Sequence, residues 1–347
     1  VVSGTFDAEL REQPETLARL LEQGREAVGL VAERIRLHGP LFVVLAARGS
    51  SDNAARYAQY VLGARNGLVG ALAAPSIVTR YGAQPRFENA LVIGISQSGR
   101  SPDIVAVVEE GRRQGGITLA LTNDPRSPLA RAAELVLPLR AGEERAVAAT
   151  KTYTAQLMAV AMLSAALDGD AAGWRELEEV PTQVEATIAI GQAPAEAAAR
   201  FAERPRLVVL GRGYNLATAF EIALKVKETC GVTADPYSSA DFLHGPVALL
   251  EPGLPVMVVA PGAAPFDELE ALLPLARQRG APLIVVSDAA RLLAQADVAL
   301  PLPAGVPEWL SPLPAVVPGQ MWAQALARAR GRSVDEPPGL DKVTLTR

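Results

Sequence analysis

The chain has 347 residues, enough for two domains of ordinary size, and 49% of them are apolar, enough for a large core. Thirty-three basic residues against 38 acidic ones give a formal charge of −5, which speaks against a nucleic-acid surface. Cys230 is the single cysteine, so an intrachain disulfide and a cysteine-based zinc site are excluded, and no apolar run approaches the ~20 residues of a membrane span.

The first fifteen residues, VVSGTFDAELREQPE, lack the basic-then-apolar order of a signal peptide, and a cytoplasmic protein is expected. Residues 7–37 carry Leu17, Leu20, Leu21, Val28 and Val31 at helical spacing. LFVVLAARGSSDNAARYAQYVL (41–62) reads as a buried strand, a Gly/Ser turn and a helix. Further strands are expected at Ser76–Val78, Leu91–Ile95, 117–123 and 135–139, followed by a loop and a long Ala-rich helix. After a polar, helical region around 168–200 the pattern restarts. RLVVLGRGYNLATAFEIALKVKE (206–228) echoes 41–62, with strands at 254–262, 282–288 and 297–303, a last helix over Val316–Arg330 and an extended tail.

Strands separated by helices imply doubly wound parallel sheets. The fold class is therefore α/β, with one unit duplicated in tandem. The expected boundaries are an N-terminal helical segment 1–37, a first domain 38–168, a helical linker 169–197, a second domain 198–330 and a tail 331–347.

The richest chemistry lies in LVIGISQSGRSPDI (91–104). An apolar strand stops at Ser96, Gln97, Ser98 and Gly99, and a helix start follows. Such a turn offers amides and hydroxyls to an anion, and the helix dipole adds to the attraction. GxxxxGK[ST] and GxGxxG are both absent, so a nucleotide is not the obvious owner of a phosphate held there. A phosphate cradle and an ordinary polar loop both remain open. The counterpart in the second half, APGAAP (260–265), lacks hydroxyls, so the first repeat is expected to bind the phosphate and the second to supply something else.

Only four of the 33 basic residues are lysines, Lys151, Lys225, Lys227 and Lys342, which raises the chance that a lysine is kept for its amine. Glu221, Lys225 and Glu228 fall at i, i+4 and i+7 of an expected helix. They form either a solvated face, whose Glu–Lys pair is worth about 0.2–0.5 kcal/mol, or a general base beside a lysine. His244 sits in a His-Gly-Pro loop, where an imidazole is exposed and titrates near neutral pH. A second His-Gly-Pro, His38–Pro40, precedes the first strand on the side away from the ligand turns and reads as structural.

SQSGRSPD (96–103) with RGSSDNA (48–54) resembles the sugar-isomerase (SIS) fold. ALKVKE (223–228), DFLHGP (241–246) and GLDKVT (339–344) resemble the isomerase half of glucosamine-6-phosphate synthase. RAGEERAVAATKTY (140–153), SSADFLHGPV (238–247) and GLDKVTLT (339–346) are similar to the SIS-type glucosamine-6-phosphate deaminases in particular. The resemblance covers nearly the whole chain. The sole cysteine lies in the second repeat, so the cysteine nucleophile of a glutaminase domain is not expected.

The resemblance implies a phosphate clamp at Gly49, Ser50, Ser51, Ser96, Gln97, Ser98 and Ser101, with Arg48 in the deaminase-like form of the first turn. Glu228 would move a proton between C1 and C2 of the open-chain sugar, a task that suits a partly buried carboxylate. His244 would open the pyranose ring from the neighbouring subunit of a homodimer, and Lys225 would lie near the sugar. Val147 and Ala149 would line it, Ala149 standing where the synthase has a serine. Lys342 matches a lysine that forms a Schiff base in the synthase; in a deaminase, orienting the substrate or stabilising an enolate-like intermediate would suffice.

The implied reaction releases ammonia and fructose 6-phosphate from glucosamine 6-phosphate with no metal or organic cofactor. The partners are a hexosamine or hexose 6-phosphate, with no nucleic acid and no membrane. The alternatives are another aldose–ketose phosphosugar isomerase, a deglycase or ammonia-dependent aminotransferase of the same fold, or a non-catalytic sugar-phosphate sensor.

Overall fold

The computed structural model describes residues 4–262 and 267–342. Among them, β1 (Phe42–Ala46), β2 (Val69–Leu72), β3 (Ala90–Ser96), β4 (Ile117–Thr122) and β5 (Leu135–Pro138) form one sheet in the order β2-β1-β3-β4-β5. A second sheet holds β6 (Arg206–Gly211), β7 (Thr233–Ser238), β8 (Val256–Val259), β9 (Leu283–Ser287) and β10 (Val298–Pro301) in the order β7-β6-β8-β9-β10. Every pairing in both is parallel, and the two orders are the same permutation, which confirms the duplication.

The chain enters through α1 (Thr5–Arg11) and α2 (Gln13–His38), so the helical stretch expected over 7–37 is two helices, broken at Glu12. Around the first sheet run α3 (Ser50–Ala64), α4 (Ser76–Thr79), α5 (Pro102–Arg113), α6 (Pro128–Ala132) and α7 (Lys151–Asp168), followed by α8 (Ala171–Ala195). Around the second run α9 (Leu216–Cys230), α10 (Ser239–Leu243), α11 (Asp267–Gln278), α12 (Ala290–Leu293) and α13 (Pro312–Ala329). α7 is buried from Lys151 to Ala166, as a helix apolar on nearly all sides must be.

Cα packing divides the chain into two compact units. The unit with the first sheet comprises Glu15–Glu144, Lys151–Glu179 and the tail from Asp341. The unit with the second sheet takes in the chain up to Pro14, Arg145–Thr150 and Val180–Leu340. In the first, Val44, Val92, Ile104, Val107, Val108 and Leu129 pack one face of the sheet. In the second, Val208, Val256, Val258, Leu272, Leu273 and Leu283 do the same.

Three expectations need correction. Ser76–Val78 is not a strand but part of the one-turn helix α4, and the second strand is Val69–Leu72 instead. VGAL lies at a sheet edge and is only half covered, so it carries no run of large apolar residues to announce it. β7, TADPYS, was not expected at all; its Pro236 is tolerated because β7 is also an edge strand. α13 begins at Pro312, ahead of Val316, since prolines fit a first helical turn whose N–H groups have no partners within the helix.

Candidate active site

In each sheet the strand order reverses between its first and third strands, and ligands of open α/β sheets bind at the carboxyl ends beside that reversal. In the first sheet the two turns there are the Ser-rich ones. After β1, Gly49 takes φ 55° and ψ −134°, a conformation suited to glycine, and opens α3 with Ser50 and Ser51 in its first turn. Ser51 is buried and its Oγ accepts from Gln156 Nε2 of α7 at 3.0 Å.

After β3, Ser96 Oγ accepts the Gly99 N–H at 3.1 Å and Ser98 Oγ that of Arg100 at 3.4 Å. Gly99 has φ 63°, and a Cβ there would lie 2.2 Å from Ser127 Oγ, so the turn requires glycine. The Gln97 carbonyl accepts the Asn123 N–H at 3.1 Å. Ser101 caps α5 by position, yet its side chain accepts no bond from the helix, so its hydroxyl is not engaged there. Two helix N-termini thus open beside one crevice, the arrangement that favours a phosphate.

One acidic group stands against this. Asp103 is buried in the first turn of α5, and Arg48 answers it with Nε and Nη2, each 2.9 Å from Oδ2. The Arg48 side chain is 51% exposed, so it can offset that carboxylate and still face a ligand.

The same unit holds the tail lysine. Lys342 Nζ lies 2.7 Å from Glu144 Oε2, a carboxylate with no exposure at all. Thr152 supports Glu144 from the start of α7, its N–H at 3.0 Å from Oε1 and its hydroxyl at 2.7 Å from Oε2. Residues 343–346 of the matching tail motifs lie outside the described residues.

In the other unit, Val147 and Ala149 are half-buried in the Arg145–Thr150 loop. Buried Glu9 of α1 pins that loop, Oε1 accepting the Arg145 N–H at 2.5 Å and Oε2 the Ala146 N–H at 3.1 Å.

The α9 stripe is not a solvated face. Lys225 and Glu221 are fully buried, and Lys225 Nζ lies 2.5 Å from Glu228 Oε2 and 3.5 Å from Glu221 Oε1. Glu228 is 24% exposed, so of the two carboxylates it alone can meet a substrate. α13 packs closely on the same helix, where a Cβ at Gly319 would fall 2.2 Å from Ile222 Cγ1. His244 follows α10 and is exposed; its backbone N–H caps back to the Asp241 carbonyl, and its imidazole has no hydrogen-bond or ion-pair partner among the described residues. Of the four lysines, Lys151 and Lys225 are buried, Lys342 is ion-paired and Lys227 is exposed.

The reversal point of the second sheet is built differently. A small cavity of about 30 Å³ there is lined by Arg212, Asn215, Ala260, Pro261, Gly262 and Arg291, among others. Pro261 has no N–H, and the Gly262 N–H is bonded to Asp288 Oδ1 at 2.5 Å. Arg212 pairs with Glu268 at 3.1 Å and Arg291 with Glu270 at 3.2 Å. Residues 263–265 of the APGAAP segment lie outside the described residues.

Sequence reasoning missed Glu9, Glu144 and Gln156. Glu144 stands beside Glu143 in AGEERAVAATK, and no spacing distinguishes the two. Among the described residues no cluster of His, Cys, Asp and Glu could hold a metal ion, and no helix is long and apolar enough to cross a membrane.

A model of the SIS domain matches residues 42–166 and 200–323. The glutamine–fructose-6-phosphate aminotransferase (isomerizing) of Thermococcus kodakarensis is 35% identical over 350 aligned positions, covering 96% of this chain and 56% of that protein. The chain thus spans about half the length of the curated relatives it matches. Among solved structures, a candidate phosphosugar isomerase from Silicibacter pomeroyi DSS-3 is 37% identical with a TM-score of 0.86, over 95% of this chain and 99% of that one. The C-terminal domain of glucosamine-fructose-6-phosphate aminotransferase from Francisella tularensis is 25% identical with a TM-score of 0.88, over 96% and 98%. The two matched segments coincide with the two sheets, and the chain belongs to the SIS-domain family as a protein with two SIS domains related to that aminotransferase C-terminal domain.

Proposed function

We propose that the chain is a deaminating isomerase that converts glucosamine 6-phosphate and water to fructose 6-phosphate and ammonia. The observation that carries this reading is the α9 stripe, in which buried Lys225 holds Glu228, the partly exposed carboxylate of its pair. A general base needs a fixed geometry and access to the substrate, and Glu228 has both.

In this reading the Ser50–Ser51 and Ser96–Ser101 turns hold the 6-phosphate, with Arg48 beside them. His244 opens the ring by moving a proton from O1 to O5. Glu228 takes the C2 proton; the C–H pair forms C1=C2 and the carbonyl pair moves onto O1. O1 then takes a proton that the substrate's C2 ammonium gives up. Glu228 returns its proton to C1, leaving an iminium at C2, and water displaces ammonia from it. The chemistry is acid–base throughout and runs on this chain's own side chains.

His244 is assigned to the neighbouring subunit of a homodimer, which fits an exposed imidazole with no hydrogen-bond or ion-pair partner among the described residues. A second reading, a phosphosugar isomerase that releases no ammonia, draws support from the 37% identical relative. Incubation with glucosamine 6-phosphate, with ammonia and fructose 6-phosphate measured together, tests the proposal. Equal amounts of both support deamination. An aldose–ketose conversion without ammonia selects the second reading.

A further inference from the structure

The second sheet has chemistry at its other end as well. Pro282 directly precedes β9, Asp297 directly precedes β10, and Arg204 lies just ahead of β6. These residues mark the amino ends of the strands, opposite the end where the ligand turns of such sheets open. An open cleft of about 370 Å³ lies there, a size that fits a small metabolite. Three arginines line it, Arg200, Arg204 and Arg277, against one carboxylate, Asp297. None of the three has a carboxylate partner among the described residues. In a chain with a formal charge of −5, this is a local excess of cations.

The arginines are held in place. Arg200 Nη1 donates to the Asp297 carbonyl at 3.4 Å, and its guanidinium carbon lies 5.9 Å from the centre of the Phe201 ring. Gly253 takes φ 83°, and a Cβ there would fall 2.8 Å from Arg204 Nη1, so glycine leaves room for that guanidinium. Arg330 Nη1 donates to the Ala202 carbonyl, midway between Arg200 and Arg204, and anchors the segment that carries both. Arg277 lies in the last turn of α11, and its carbonyl accepts the Gly280 N–H at 2.9 Å. The turn beyond it offers no open amide, since the Ala281 N–H is bonded to the Ala276 carbonyl and Pro282 has none. Side-chain charge is what this cleft presents. Asp297 is fixed too, its Oδ2 accepting the Leu283 N–H at 2.8 Å, and a carboxylate so engaged can still accept a hydroxyl.

A phosphate monoester carries about −1.5 to −2 charges and three acceptor oxygens, enough for several guanidinium groups, whereas one arginine fork already satisfies a carboxylate. We propose that this cleft is a second ligand site, for a small phosphate monoester that bears a hydroxyl group. The arginines take the phosphate and Asp297 takes the hydroxyl. The site is separate from the proposed reaction and does not depend on it.

The probe is glycerol 3-phosphate, added to the whole chain and followed by amide hydrogen exchange with mass spectrometry. At tenfold excess over Kd, exchange at 200–204 and 277–283 should slow by about tenfold wherever opening releases the ligand. Protection confined to 48–52 and 96–101 would place the probe at the first-domain turns alone and overturns the proposal. No protection in either cleft segment at about 10 mM probe does the same. Titrating the cleft segments gives an affinity for this site by itself. Glycerol 3-phosphate should bind there about fivefold tighter than inorganic phosphate, the worth of one hydrogen bond. Equal affinities overturn the hydroxyl-bearing class.

In Arg204→Ala/Arg277→Ala the cleft protection should vanish, with any response at 48–52 and 96–101 unchanged. Both side chains are exposed, so the variant should melt near wild type. Protection that survives in the variant overturns the proposal. The wild-type localisation needs no variant and decides the matter if the double variant fails to fold. None of these measurements requires turnover, so they hold whether or not glucosamine 6-phosphate is the substrate.

Discussion

Gln156 Nε2 donates to Ser51 Oγ at 3.0 Å, a buried contact between α7 and the first turn of α3. A hydroxyl that accepts one hydrogen bond still has its own proton to give. The contact therefore leaves the Ser51 O–H to donate elsewhere. Gln156→Leu should remove this bias and weaken phosphate-bearing ligands by about 1 kcal/mol, roughly fivefold in Kd. Calorimetry with inorganic phosphate and with the sugar phosphate checks it, and kcat should change little.

The Arg48–Asp103 pair predicts an asymmetry. Arg48→Ala leaves a buried carboxylate without this ion pair beside the proposed phosphate turns, whereas the double change Arg48→Ala/Asp103→Asn removes both charges. The single variant should bind phosphate more weakly than the double one. Equal affinities would show that Asp103 has no electrostatic reach into the crevice.

Glu228 and Lys225 should separate activity from stability. Glu228→Gln should abolish turnover and shift the melting temperature little, since Glu228 is partly solvated. Lys225→Met removes the ammonium beside fully buried Glu221 and should cost about 3–5 kcal/mol of stability, as removing one partner of a buried pair does. Thermal melts of both variants, read beside the ammonia assay, distinguish the two roles.

Gly319→Ala tests the packing behind that stripe. Its Cβ would fall 2.2 Å from Ile222 Cγ1, a clash relieved by displacing the Ile222 side chain or by moving α9 and α13 apart. A destabilisation of about 1–3 kcal/mol is expected from denaturant unfolding, the usual cost of overpacking.

Burial pushes the Cys230 thiol up from 9.0 to about 11, against smaller opposing effects of the Thr229 hydroxyl and of Arg330 and Arg332. The unfolded chain ionises this thiol from about pH 9 and the folded chain only near 11. The neutral thiol therefore favours the fold fully below pH 9, and that contribution is lost as the pH rises from 9 through 11. Wild type should lose stability relative to Cys230→Ala over that window, as denaturation midpoints at each pH will show.

How much of this was legible in the sequence depended on burial and distance. β3 and β4 were plain because both are covered along their whole length and read as unbroken apolar runs. β2 and β7 were not, because edge strands can be built from Gly, Ala, Asp and Pro. The Glu221–Lys225–Glu228 spacing was visible, but a polar stripe has the same spacing whether it faces water or protein. Glu144, Glu9 and Gln156 act on partners 198, 137 and 105 positions away, and no local pattern encodes such pairs.

The scarcity of lysine has a practical outcome. With Lys151 and Lys225 enclosed and Lys342 locked against Glu144, Lys227 is the side-chain amine left open to solvent. It lies on α9 one residue before Glu228. An acylating dye applied to the folded protein would therefore place its label chiefly there, giving an optical reporter on the helix that carries the proposed base. The arginines that make up the rest of the surface cations, apart from the ion-paired Lys342, are ignored by such reagents.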